Sequence, residues 1–137
     1  TIFEENKGAS PEVFFKKLFI NRIELIRKYE KYAIVAIMES RFNTGIREKI
    51  LAHIYPRAMA FGEKITNYYK EQGVFRQDLD PWITIRTAMM GIVGIMFTTE
   101  LIGIQPRNGS VEEELVLVIQ FFLRGAVTDE WLLQNVR

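Results

Sequence analysis

The stretch TAMMGIVGIMFTTELIG, residues 87–103, decides how this chain must be folded. Between Ala88 and Phe97 it carries no charged side chain, whereas a surface helix of a globular protein keeps one polar side for water. A helix of this composition has to be covered all round. A membrane span would need roughly 18–20 apolar residues; Arg86 and Glu100 bracket a shorter uncharged run, several of whose members are threonines. No membrane is therefore expected, and the cover has to be protein.

The composition bounds what that protein is. With 137 residues, 48% of them hydrophobic and 26% charged, the chain suits one globular domain, residues 1–137, with a sizeable core. Its 18 Lys and Arg stand against 17 Asp and Glu, a net charge of +1, so no overall field argues for nucleic acid, an anionic membrane surface or acidic substrates. Cysteine is absent, which removes disulfides, thiolate catalysis and Cys-based zinc sites and suits a cytoplasmic location. No charged segment followed by an apolar run marks a signal peptide.

Outward from the opening stretch, helix punctuation is dense and strand signals are scarce. Asp80 and Pro81 read as the cap and first residue of the 87–103 helix, which stops near Gly103. Ser10 and Pro11 give the same signal for a helix to about Tyr29, with Phe15, Leu18, Phe19, Ile26 and Tyr29 at helical spacing and Lys16, Lys17, Arg22, Arg27 and Lys28 as its wet side. The run YAIVAIM, 32–38, reads as a second helix, since no alternating neighbour is available to pair with it as a strand. Asn43, Thr44 and Gly45 break the pattern and offer a new cap. From Ile46 to Tyr68 apolar residues recur every three or four positions. Pro56 sits inside that face and predicts a kink or break, because it lacks an N–H and crowds the carbonyl of Ala52. Gly73 reads as a left-handed cap, Ser110 with Glu113 as a capping box for the helix through LVLVIQFFLRGA, and TDEWLLQ as a last short turn. The expectation is an all-α bundle of about five to six helices.

Two of those helices have more apolar surface than one small core uses. Leu115, Val118, Ile119 and Phe122 form one stripe of the last long helix, and Val116, Leu123 and Val127 form another beside it. On the 87–103 helix, Gly91, Gly94, Thr98 and Ile102 fall near one line, where small residues let backbones approach. The economical arrangement packs one stripe of each helix inward and the other against a second copy, a four-helix homodimer interface with two-fold symmetry. The alternative is that the glycines admit another helix of the same subunit.

The segment EQGVFRQDLDPW, 71–82, adds a resemblance. A long helix ending in glycine, an aspartate-rich turn closing in Asp-Pro and a helix with paired glycines resemble the C-terminal domain of TetR-family transcriptional regulators. LRGA, 123–126, is similar to the end of that family's final dimerisation helix. The likeness spans roughly residues 10–127. It implies a homodimeric, effector-binding half of a transcriptional repressor, whose DNA-binding helix-turn-helix head is not found in this chain. Residues 1–9 then read as the tail of the helix leading to that head, and DNA is contacted only through it. The near-neutral charge agrees, since phosphate-neutralising residues would sit in the head.

The resemblance also implies a small-molecule cavity inside the helices. The candidates to line it are the inward aromatics and methionines Phe15, Phe19, Tyr32, Met38, Phe42, Phe61, Trp82, Met89 and Met96, which suit an apolar or aromatic effector; the plain alternative for each is core filling. Arg86 and Glu100 are read as the rim of the dimer interface. His53, the only histidine, is read as a helix-surface residue rather than a metal ligand, and no cofactor is expected. GIVG, 91–94, lies mid-helix and so offers no free backbone N–H groups to phosphate; no catalytic constellation is found. Competing readings are a helical carrier or enzyme for a hydrophobic ligand and a helical interaction adaptor.

Overall fold

The computed structural model of the chain describes residues 2–107 and 109–135, with the side chains of residues 2, 30, 31, 33, 34, 37 and 101 outside that description. After a four-residue helix α1, Ile2–Glu5, the Ser10 side chain accepts the N–H of Val13 and Pro11 opens α2, Pro11–Ser40. This is one unbroken helix of 30 residues where the sequence predicted two. Between Tyr29 and Tyr32 stand only Glu30 and Lys31, good helix formers with neither glycine, proline nor cap, so nothing stops the ladder. Three positions of the predicted 32–38 segment, 33, 34 and 37, lie outside the described side chains.

Asn43 caps α3, Thr44–Lys49, by accepting the Ile46 N–H at 3.2 Å. The kink predicted at Pro56 takes the form of a π-helical turn, Ile50–Ile54, in which the Tyr55 N–H reaches back to the carbonyl of Ile50. One extra residue in the turn carries the chain past the proline ring without a clash. Helix α4, Tyr55–Glu71, continues from it and ends as foreseen at Gly73, φ +70°. The Val74 N–H bonds the Tyr69 carbonyl and the Gly73 N–H that of Lys70, the two bonds of a Schellman cap.

The turn after it is pinned to the far end of the chain. Phe75 pairs with Val127, the Arg76 N–H bonds the Ala126 carbonyl and the Thr128 N–H that of Val74. Asp80 Oδ1 then accepts the Ile83 N–H at 2.8 Å and starts α5, Pro81–Met96, which runs into a second π turn, Phe97–Leu101, and stops at Gly103, φ +81°. Ser110 and Glu113 close their capping box on α6, Val111–Ala126; three glutamates in its first turn and Arg124 in its last complement the helix dipole. Helix α7, Asp129–Asn135, is the short final turn. The described residues are thus all-α, and counting each π turn with its neighbours leaves six continuous helices.

The core gathers where α2, α4 and α6 meet the Val74–Phe75 turn. Phe15 lies 5.1 Å from Phe122 and 6.1 Å from Phe19 and Phe75, ring centre to ring centre, and Tyr69 is 5.0 Å from Phe75. Burial pushes the Tyr69 phenol well above its ordinary pKa, so it stays neutral. Thr66 Oγ1 is buried there without a hydrogen-bond partner.

Helix α5 lies antiparallel to α6. Gly91 meets Val118, and Arg27 of α2 holds both Glu100, beyond the end of α5, and Glu112, at the start of α6, at 3.4 and 2.9 Å. By length and a mean hydropathy of 1.3, the helical stretch Pro81–Glu100 matches a membrane span, but α4 and α6 pack against it and Ile85, Ala88, Ile92 and Met96 are buried, so we read it as a bundle helix. Ile83, Met90 and Phe97, on its other side, are exposed.

Candidate functional site

An apolar groove of about 660 Å³ opens between α2, the first π turn with α4, and α5. Its size is within the roughly 300–1,000 Å³ of small-molecule sites. Helical spacing builds each wall: Leu18, Phe19, Leu25 and Ile26 from α2; Ile54, Ala58 and Phe61 from the second wall; Ile85, Met89 and Ile92 from α5. Gly62 lets α4 and α5 approach closely, since a Cβ there would stand 2.9 Å from the Cβ of Ile85 and hold the two helices apart. One side of the groove is open to solvent.

Three of the predicted lining residues, Phe19, Phe61 and Met89, come together in this groove. Phe15 and Met96 are buried in the core, the first inside the aromatic cluster, so the groove does not reach them. Trp82 is half-buried against the Tyr55 ring, 5.0 Å away. Tyr32, Met38 and Phe42 are exposed, because α2 runs on past the body of the bundle instead of turning back as a second helix. Sequence reasoning missed Arg22, which it assigned to the wet side of α2, and Arg57 and His53; all three line the groove. The signal for Arg22 was its spacing from Leu18, Leu25, Ile26 and Tyr29. No such signal existed for His53, whose direction depends on the π turn.

The second feature is the outward side of α5 and α6. Two of the predicted interface residues face the subunit's own interior: Leu123 is buried in the core, and a Cβ on Gly91 would sit 2.7 Å from Val118 Cγ1, so this glycine admits α6 of the same chain. Thr98 is half-buried with its hydroxyl turned back to the Gly94 and Ile95 carbonyls, and Val116 is half-buried. Gly94 faces open space and Ile102 is exposed. The uncovered stripe is offset from the predicted one: Ile83, Met90 and Phe97 flank Gly94 on α5, and Leu117 with Phe121 does so on α6. Phe121 is 84% exposed. The seam between α5 and α6 is marked by Gly91 against Val118, and these exposed side chains belong to the two helices that form it. Of the two charges assigned to the interface rim, Glu100 is engaged by Arg27 and Arg86 is exposed.

No family model, curated protein or solved structure matches this chain. The groove and the α5–α6 seam are the two features that bear on its function. Both belong to α5: its Met89 and Ile92 side forms a wall of the groove, and its Met90, Gly94 and Phe97 side forms half of the uncovered seam. Among the described residues, no three His, Asp or Glu side chains are gathered so that they could hold a metal ion, and GIVG lies within α5.

Proposed function

We propose that the chain is the effector-binding and homodimerisation domain of a TetR-like transcriptional regulator, a cytoplasmic repressor that reaches DNA through a helix-turn-helix head carried outside this chain. The observation that carries the proposal is the double duty of α5, which walls the apolar groove on one side and presents an uncovered apolar stripe on another. A second copy laid across α5 and α6 would bury that stripe in a four-helix contact. Contiguous exposed apolar surface of this kind marks interaction sites. An apolar or aromatic effector in the groove then bears on the same helix that sets the angle between the copies. It needs only to bind one dimer arrangement better than the other, since equal affinity for both would shift nothing. The chain itself has no catalytic part in this reading.

The test is a distance measurement between copies. The chain has no cysteine, so Lys16→Cys, exposed near the start of α2, accepts a single spin label. We expect a defined label-to-label distance in the dimer that changes when 1-dodecanol saturates the groove. A distance that stays the same with dodecanol bound would remove the regulatory part of the reading, and no measurable distance would remove the dimer.

A further inference from the structure

The groove is apolar over most of its lining, and its three ionisable or strongly donating side chains, other than the phenol of Tyr29, are Arg22, His53 and Arg57. Among the described residues, no carboxylate lines it. Ion pairs are made by Arg27 with Glu100 and Glu112, Lys64 with Glu4 and Arg76 with Asp78. Among the described residues, Arg22 and Arg57 make no ion pair, although α2 and α4 are rich in glutamate. Two arginines come from two different walls, with a histidine one helical turn before the second, and all three line the groove while remaining exposed. An arginine fork matches the two oxygens of a carboxylate.

We propose that this groove takes an amphipathic carboxylate, with a single apolar tail lying between α2, α4 and α5 and the head group held at the mouth by Arg22 and Arg57, His53 adding a ring N–H. This rests on the reading of the groove as an effector site and adds the chemical class of the effector. A neutral hydrocarbon would leave both guanidinium groups without a partner, and a cationic amphiphile would meet like charge.

The experiment compares dodecanoate, 1-dodecanol and dodecylammonium by titration calorimetry at neutral pH and low salt, on the native chain and on Arg22→Gln/Arg57→Gln. Dodecanoate is expected to bind about tenfold tighter than dodecanol, a modest factor because both arginines are solvated, and dodecylammonium more weakly than either. The double variant should bring dodecanoate down to the affinity of dodecanol and leave dodecanol itself unchanged; Arg22→Lys/Arg57→Lys should restore part of the preference. Equal affinities for dodecanoate and dodecanol on the native chain, or an unchanged preference in the double glutamine variant, would overturn the carboxylate assignment and leave the groove standing. Ala58→Trp and, independently, Val93→Trp fill the groove from two walls. Binding that survives both, or no binding of any of the three compounds, would overturn the groove reading and the carboxylate with it.

Discussion

The inner face of α5 puts Ile85, Ala88, Ile92 and Met96 into surroundings supplied by α4 and α6, while its outer face holds Ile83, Met90 and Phe97 around Gly94, each about half exposed. Both faces are apolar, and periodicity treats them alike. Helix α6 repeats the contrast, with Leu115 fully buried and Leu117, two residues on, 48% exposed. The difference separates the face that folding covers from the face that the proposed second copy would cover.

The largest effect expected from that contrast is on stability. Leu115→Ala should cost about 2–5 kcal/mol in denaturant unfolding, because it empties a closed core position. Leu117→Ala at the same protein concentration, low enough to favour separate subunits, should stay within about 0.5 kcal/mol of the native chain. Similar losses at both positions would mean that the outer face is not uncovered at all.

The two glycines of α5 sharpen the comparison. Gly91→Ala drives a methyl toward Val118 Cγ1, a β-branched neighbour with little room to turn, and should cost about 1–3 kcal/mol. Gly94→Ala meets nothing within the subunit and should gain up to about 1 kcal/mol through helix propensity in dilute solution. Thermal unfolding of the pair, read as opposite shifts in Tm, checks both signs.

A comparable gain should follow from Thr66→Val, which removes the buried hydroxyl that lacks a partner and keeps the side-chain shape; about 1 kcal/mol of added stability is expected in chemical denaturation. The smallest effect concerns the link between α2 and α6. The backbone N–H at Glu112 and then Arg27 hold the Glu112 carboxyl below its usual 4.5. A lowered folded-state pKa contributes stability that is present above the unfolded value and lost as pH falls through the folded one, so this contribution disappears below pH 4.5. Since both partners are solvent-exposed, Arg27→Gln should remove only a few tenths of a kcal/mol at neutral pH and flatten part of the acid slope of an unfolding titration.

Local chemistry was legible in the sequence wherever a single residue decides the backbone. Ser10, Asn43, Asp80 and Ser110 all cap helices as their side chains require, Gly73 takes the left-handed conformation, and Pro56 distorts its helix. The length of α2 was missed because polar Glu30 and Lys31 interrupt the apolar pattern without interrupting the backbone. That error carried Tyr32, Met38 and Phe42 into the list of lining residues. Phe19, Phe61 and Met89, read as lining candidates from helical spacing, border the groove; Arg22, Arg57 and His53 border it too but were not read so, because a polar residue on a helix faces water by default, and only the meeting of three helices places it beside a groove. The seam was legible as an excess of apolar surface but not residue by residue, since one helical position separates a residue that meets α6 from one that meets solvent.

Sedimentation equilibrium of the native chain beside Met90→Glu/Phe121→Glu tests the central claim most directly. The native chain should sediment as a dimer at micromolar concentration. The double variant, with charge placed on both sides of the seam, should sediment as a monomer and keep the same helical content. A native chain that remains monomeric at that concentration, or a double variant that associates as tightly as the native chain, would contradict the assignment of the α5–α6 outer face to a second copy.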